Sequence, residues 1–75
     1  MTLYEFKCLA EDAQFTVTFT EGIFIEYHIE DSIRYALYAV DRFFVEVAYD
    51  TTTNNIIHLT SFIEGDKLDL YISNL

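Results

Sequence analysis

The plainest pattern in this chain is an alternation of apolar and polar residues with a period of two. In Gln14-Phe15-Thr16-Val17-Thr18-Phe19-Thr20, the apolar residues Phe15, Val17 and Phe19 fall on one side and the three threonines on the other. In the run from Ile23 to Glu30, Ile23, Ile25, Tyr27 and Ile29 share a side that reads as inward, leaving Glu26, His28 and Glu30 outward. Successive side chains of a strand point to opposite faces, so the pattern predicts strands over 14–20 and 23–30. Glu21-Gly22 between them reads as a tight hairpin turn, with the glycine supplying a positive φ. Residues 2–9 read as an earlier strand, with Tyr4, Phe6 and Cys8 opposed to Glu5 and Lys7, and Glu11-Asp12-Ala13 as the connecting turn. Phe43, Val45, Val47 and Tyr49 alternate with Phe44, Glu46, Ala48 and Asp50, a strand over 43–49. Thr51 to Asn55 is a loop of turn formers. The strand over 56–62 returns from it, with Ile57 and Leu59 as its expected core pair.

Two segments read differently. Ile33, Ala36, Leu37 and Val40 fit a helical stripe, with Asp31 or Ser32 as an N-cap. The same stretch fits a strand with two apolar faces, joined to Phe43 by a two-residue loop at Asp41-Arg42; its tyrosines and β-branched residues favour that reading. Near the C-terminus, Leu68, Tyr71, Ile72 and Leu75 lie on one helical stripe after Gly65, and Asp66 can cap. The expected fold is one mainly β (α+β) domain over 1–75. It is an antiparallel, curled meander of about six strands, with a short C-terminal helix at 66–74. The alternative is a ββ-α-ββ-α order with a helix at 32–41.

Composition narrows what such a domain can do. The 75 residues hold 13 Asp and Glu against 4 Lys and Arg, a net charge of −9. Nucleic-acid and anionic-membrane surfaces need lysines and arginines, so neither is an expected partner. The acids are spread, with −5 on residues 1–37 and −4 on residues 38–75, so there is no acidic tail. A single cysteine, Cys8, excludes a disulfide framework and reads as a small buried hydrophobe. No signal peptide is visible and no apolar run approaches the roughly 18–20 residues needed to span a bilayer, so a cytoplasmic protein is expected.

Candidate chemistry is sparse. Glu26, His28 and Glu30 share a strand face at intervals of about 6.6–7 Å. They lie in a line, and a metal would need them to converge with help from another strand, for example His58. Ser32, Ser61 and Ser73 sit in no nucleophile-elbow motif. Two glycines, at 22 and 65, cannot build a phosphate loop. No catalytic residue, cofactor or metal ligand is therefore assigned, and an enzyme is not expected. Thr16, Thr18 and Thr20 read as a threonine ladder that supports cross-strand pairing.

The block Leu37-Tyr38-Ala39-Val40-Asp41-Arg42-Phe43-Phe44-Val45-Glu46-Val47-Ala48-Tyr49-Asp50, with Thr60-Ser61-Phe62 and Leu68-Asp69-Leu70-Tyr71-Ile72 after it, resembles a group of short uncharacterised bacterial proteins. The resemblance covers roughly residues 33–75. It implies a hairpin over 37–49 and no particular activity, because its motif is hydrophobic and structural. Leu70 stands where those proteins often carry proline.

With 17% aromatics, six tyrosines and seven phenylalanines, one small sheet has more apolar surface than it can hide. The expected function is that of a small non-enzymatic protein-interaction module that homodimerises, with Tyr35, Tyr38, Val40 and Phe44 near the contact. The alternative is an acidic inhibitor or immunity-type protein that binds a basic partner, such as a nuclease or nucleic-acid-binding protein. That reading requires Glu21, Glu26, Glu30, Asp31, Asp41, Glu46 and Asp50 to gather on one surface.

Overall fold

The structure, a computed structural model, describes residues 1–63. Two helices come first, α1 (Leu3–Lys7) and α2 (Glu11–Glu21), then four strands, β1 (Ile23–Glu30), β2 (Ile33–Val40), β3 (Phe43–Asp50) and β4 (Asn55–Phe62). The strands form one antiparallel sheet in the order β1-β2-β3-β4. The fold is thus mainly β, with four strands among the described residues where the sequence pattern suggests six. The segment at 32–41 is a strand, not a helix. The helix expected at 66–74 lies outside the described residues.

The strands expected at 2–9 and 14–20 are helical. Thr2 starts α1 through a capping box: its hydroxyl accepts from the Glu5 N–H at 3.1 Å and the Glu5 carboxylate accepts from the Thr2 N–H at 2.7 Å. These bonds to Thr2 hold the Glu5 carboxyl below its ordinary value. Glu11 and Asp12 lie in the first turn of α2, where negative charge suits the helix N-terminus. The threonines that imitated a strand send their hydroxyls back along the helix. Thr16 donates to the Asp12 carbonyl at 3.0 Å, Thr18 to Gln14 at 2.8 Å and Thr20 to Thr16 at 2.6 Å. There is no threonine ladder across strands.

Both helices pack on one face of the sheet. Phe6, Val40, Phe43, Val45 and Val47 form the buried centre, with Leu3, Leu9, Phe15, Val17, Tyr38, Tyr49 and Leu59 packed around it. The rings of Phe6 and Phe43 meet at 5.1 Å, and Phe19 meets Tyr38 edge-on at 5.6 Å. Gln14 ties the helices together, its side-chain amide donating to the Phe6 carbonyl at 3.0 Å. Cys8, expected in the core, is exposed at the C-terminal end of α1.

Gly22 is not a positive-φ turn residue. It caps α2 in extended conformation, φ −75°, and leads directly into β1. Glycine is needed there because a Cβ would run into the Thr18 carbonyl oxygen and lie 3.3 Å from Val40 Cγ2. Gly22→Ala is expected to destabilise the fold by about 1–3 kcal/mol, the usual cost of overpacking. Urea denaturation checks this, and an unchanged midpoint would show that the α2–β1 junction is loose. The positive φ values fall instead at the loops, at Asp31 (56°), Asp41 (52°) and Asn54 (62°), residue types that tolerate them best. The Asp41-Arg42 loop connects β2 to β3 as its sequence suggests.

Candidate interaction surface

The register decides which side chains share a face. On the helix side, Val40 stands opposite Phe43, Tyr38 opposite Val45 and Ala36 opposite Val47. On the other side, Leu37 stands opposite Glu46 and Tyr35 opposite Ala48, while Glu26 and His28 of β1 continue the two rows. The centre of this second face is closed to water: Leu37 and Glu46 are each 1% exposed and Ala48 is fully buried. The middle of β3 is therefore buried on both faces, Val45 and Val47 on one and Glu46 and Ala48 on the other.

The four residues expected near a dimer contact lie on the two inner strands. Val40 is buried in the core beneath the helices. Tyr38 is half-buried on the same side, with Phe19 and Phe24 against its ring at 5.6 and 5.7 Å. Tyr35 and Phe44 are half-buried on the second face, Tyr35 stacked on His28 at 4.9 Å and Phe44 on Phe62 at 5.9 Å.

Exposed large apolar side chains are most numerous on β1, although Tyr4 of α1 and Ile56 and Ile57 of β4 are open too. Ile23, Phe24, Ile25, Tyr27 and Ile29 are between 42% and 71% exposed, all on β1, and Phe19 of α2 adjoins them at 44%. This reverses the inward reading of Ile23, Ile25, Tyr27 and Ile29. The register explains why. A bulge lies between Phe24 and Glu26, so Ile23 and Tyr27 fall on opposite faces. Tyr27 and Ile29 are on the helix side, yet β1 is at the sheet edge, while α2 sets Phe19 over Tyr38 of β2. Glu26 and His28, read as outward, are half-buried on the second face. Arg34 covers part of the Tyr27 ring, its guanidinium carbon 5.1 Å from the centroid. On β4, Ile57 is extra at a second irregularity and 48% exposed, and only Leu59 of the expected pair packs against the core.

The polar candidates do not converge. His28 and His58 lie in the same row across the sheet, His28 opposite Tyr35, then Ala48, then His58. Three strand spacings separate the imidazoles, about 14 Å. Among the described residues, no three His, Cys, Asp or Glu side chains are placed to hold a metal ion. Four of the seven carboxylates of the basic-partner reading, Glu26, Glu30, Glu46 and Asp50, lie on the second face, but the seven do not form one open acidic patch. Glu46 is buried, Asp41 and Asp31 sit at opposite ends of β2, and Glu26 lies between them on the second face. A hollow of about 590 Å³ opens beside the Asp41-Arg42 loop, lined also by Met1, Thr2, Leu3, Phe43 and Ile63. On its wall the Met1 ammonium donates to Asp41 Oδ2 at 2.7 Å, and that bond raises the ammonium above its ordinary value.

No helix among the described residues is long and apolar enough to cross a membrane. Comparison of the chain with family models, curated proteins and solved structures finds no match in any of the three.

Proposed function

We propose that this protein is a small interaction module that works as a homodimer in the cytoplasm, without catalysis of its own. The observation that carries the reading is the run of five large hydrophobic side chains left open along one strand, in a domain small enough to need every apolar contact it can make. Open apolar side chains on both sides of one sheet edge, with Glu26 and Glu30 between and beside them, suit a protein contact better than a substrate cleft. The basic-partner reading has less behind it: four of its carboxylates share the second face, but Glu46 is buried there and Asp41 lies at the far end of β2.

The oligomeric state tests the proposal. Size-exclusion chromatography with light scattering is expected to give twice the 8.8 kDa chain mass. Each copy carries −9, so the dimer is expected to tighten as salt screens the repulsion. A mass of 8.8 kDa across the accessible concentration range overturns the reading. Tight binding of a basic protein that weakens with salt favours the acidic-inhibitor alternative.

A further inference from the structure

We propose that two copies join edge to edge through β1, antiparallel about a two-fold axis at Tyr27, so that the four described strands of each copy make one continuous sheet. The proposal rests on the homodimer reading and names its contact.

Three observations carry it. First, β1 ends the sheet order among the described residues, and its apolar side chains are exposed along its whole length. Natural edge strands are usually guarded by lysine, proline or a covering element, because unpaired N–H and C=O groups invite another strand. Beyond the bulge, the segment of β1 from Glu26 to Glu30 has neither lysine nor proline.

Second, the backbone of Tyr27 faces away from β2. Its N–H donates to the neighbouring Glu26 carboxylate at 3.0 Å, so the open edge carries a donor held only by the side chain next to it. Ile29, two residues on, presents its backbone the same way, because the pattern alternates along an antiparallel pair. A second strand can therefore add only in registers that set these outward residues opposite each other.

Third, charge chooses between the two registers that pair Tyr27 with an outward residue of β1, Tyr27 itself or Ile29. With the axis at Tyr27, each Glu26 stands opposite His28 of the second copy and each Ile25 opposite Ile29. With the axis one residue on, each Glu26 stands opposite Glu30 of the second copy. Like charges directly opposed destabilise a strand pair, so the axis falls at Tyr27. In that register the Tyr27 carbonyl of each copy replaces the Glu26 carboxylate as the acceptor. The aromatic group of Phe19, Phe24 and Tyr27 also becomes continuous across the contact on the helix side. Such a pairing uses the same patch on both copies and closes, giving a dimer and not a fibre.

Cross-linking and dissociation test it together. In a Cys8→Ser background, Tyr27→Cys sets the two sulfurs on opposed residues whose Cα atoms are about 5.5 Å apart, within disulfide reach. Nearly complete covalent dimer on mild oxidation is expected. His28→Cys is a register control: it meets its own copy only if the axis is one residue on, and little cross-linking is expected. Tyr27→Lys is expected to make the protein monomeric where the wild type is dimeric, with unchanged circular dichroism. Ile57→Lys on the opposite edge is expected to leave the dimer intact. If the wild type is a dimer but Tyr27→Lys leaves it so and Tyr27→Cys does not cross-link, the contact is elsewhere and this inference falls while the homodimer survives. Efficient cross-linking of His28→Cys alone overturns the register. A monomeric wild type removes the homodimer reading itself. If Tyr27→Lys does not fold, the cysteine pair still decides.

Discussion

Phe6→Ala is expected to remove about 3–5 kcal/mol of stability, the usual cost of deleting a buried phenylalanine. Phe6 has no exposed surface and is the buried residue of α1. A helix of five residues cannot hold itself together in water. Its capping box satisfies two backbone donors, but docking depends on the Phe6 ring against Phe43. Without the ring, α1 has little to keep it on the sheet, and Phe43 and Val45 gain water on the face it covered. At about 0.05–0.15 kcal/mol per residue, a chain of this length has a total of only about 4–11 kcal/mol, so the variant is close to unfolding at room temperature. Urea denaturation at matched protein concentration measures the effect, the match being needed because a dimer's stability depends on concentration. A loss below about 1 kcal/mol would show that α1 is not part of the core.

The second large effect is expected on the face away from the helices. Leu37→Ala should cost about 2–5 kcal/mol, although Leu37 does not belong to the cluster beneath α1 and α2. Leu37 is 1% exposed and lies between Glu26 and Glu46 in the middle of the second face. Ile23→Ala is the control. It removes a larger aliphatic side chain than many core truncations do, but one that is 71% exposed, and it should stay within about 0.5 kcal/mol in the monomer. The comparison is best made in a Tyr27→Lys background, so that dimer contacts do not enter. Equal effects at the two positions would mean that the second face is open to water and that the sheet is buried on one side only.

These two positions show where the sequence was readable. The four strands from Ile23 onward are visible in the alternation, and the Asp41-Arg42 loop in its turn chemistry. The two apolar sides of β2 are visible too, and Leu37 on one side and Ala36 and Val40 on the other are buried. The helices were not read, though part of their signal was present. Thr2-Leu3-Tyr4-Glu5 has the spacing of a capping box, and Glu11-Asp12 the acidic start of a helix. Those signals lost to the alternation of Phe15, Val17 and Phe19 with threonine, which looks like a strand until the hydroxyls bond back to the preceding turn. The residues expected near a dimer contact, Tyr35, Tyr38, Val40 and Phe44, sit on the inner strands, whereas five of the open apolar side chains are on β1.

What the sequence determined by itself is the local grammar of residues 23–62: the strands and the loops between them, and the alternating sides wherever no bulge interrupts the pairing. Neighbouring residues settle those, because backbone geometry ties side-chain direction to position along a strand. Only the tertiary structure decided whether residues 11–21 would be helix or strand, and which apolar side chains of β1 would stay in water. Intrinsic propensities differ by tenths of a kilocalorie per residue, while covering a sheet face is worth several kilocalories in all. The uncovered face of β2 and β3 therefore recruits residues 3–21 as helices. Those helices reach β2, leaving β1 as an edge with its hydrophobic residues open, so the surface most suited to a partner was set by where the cover ends.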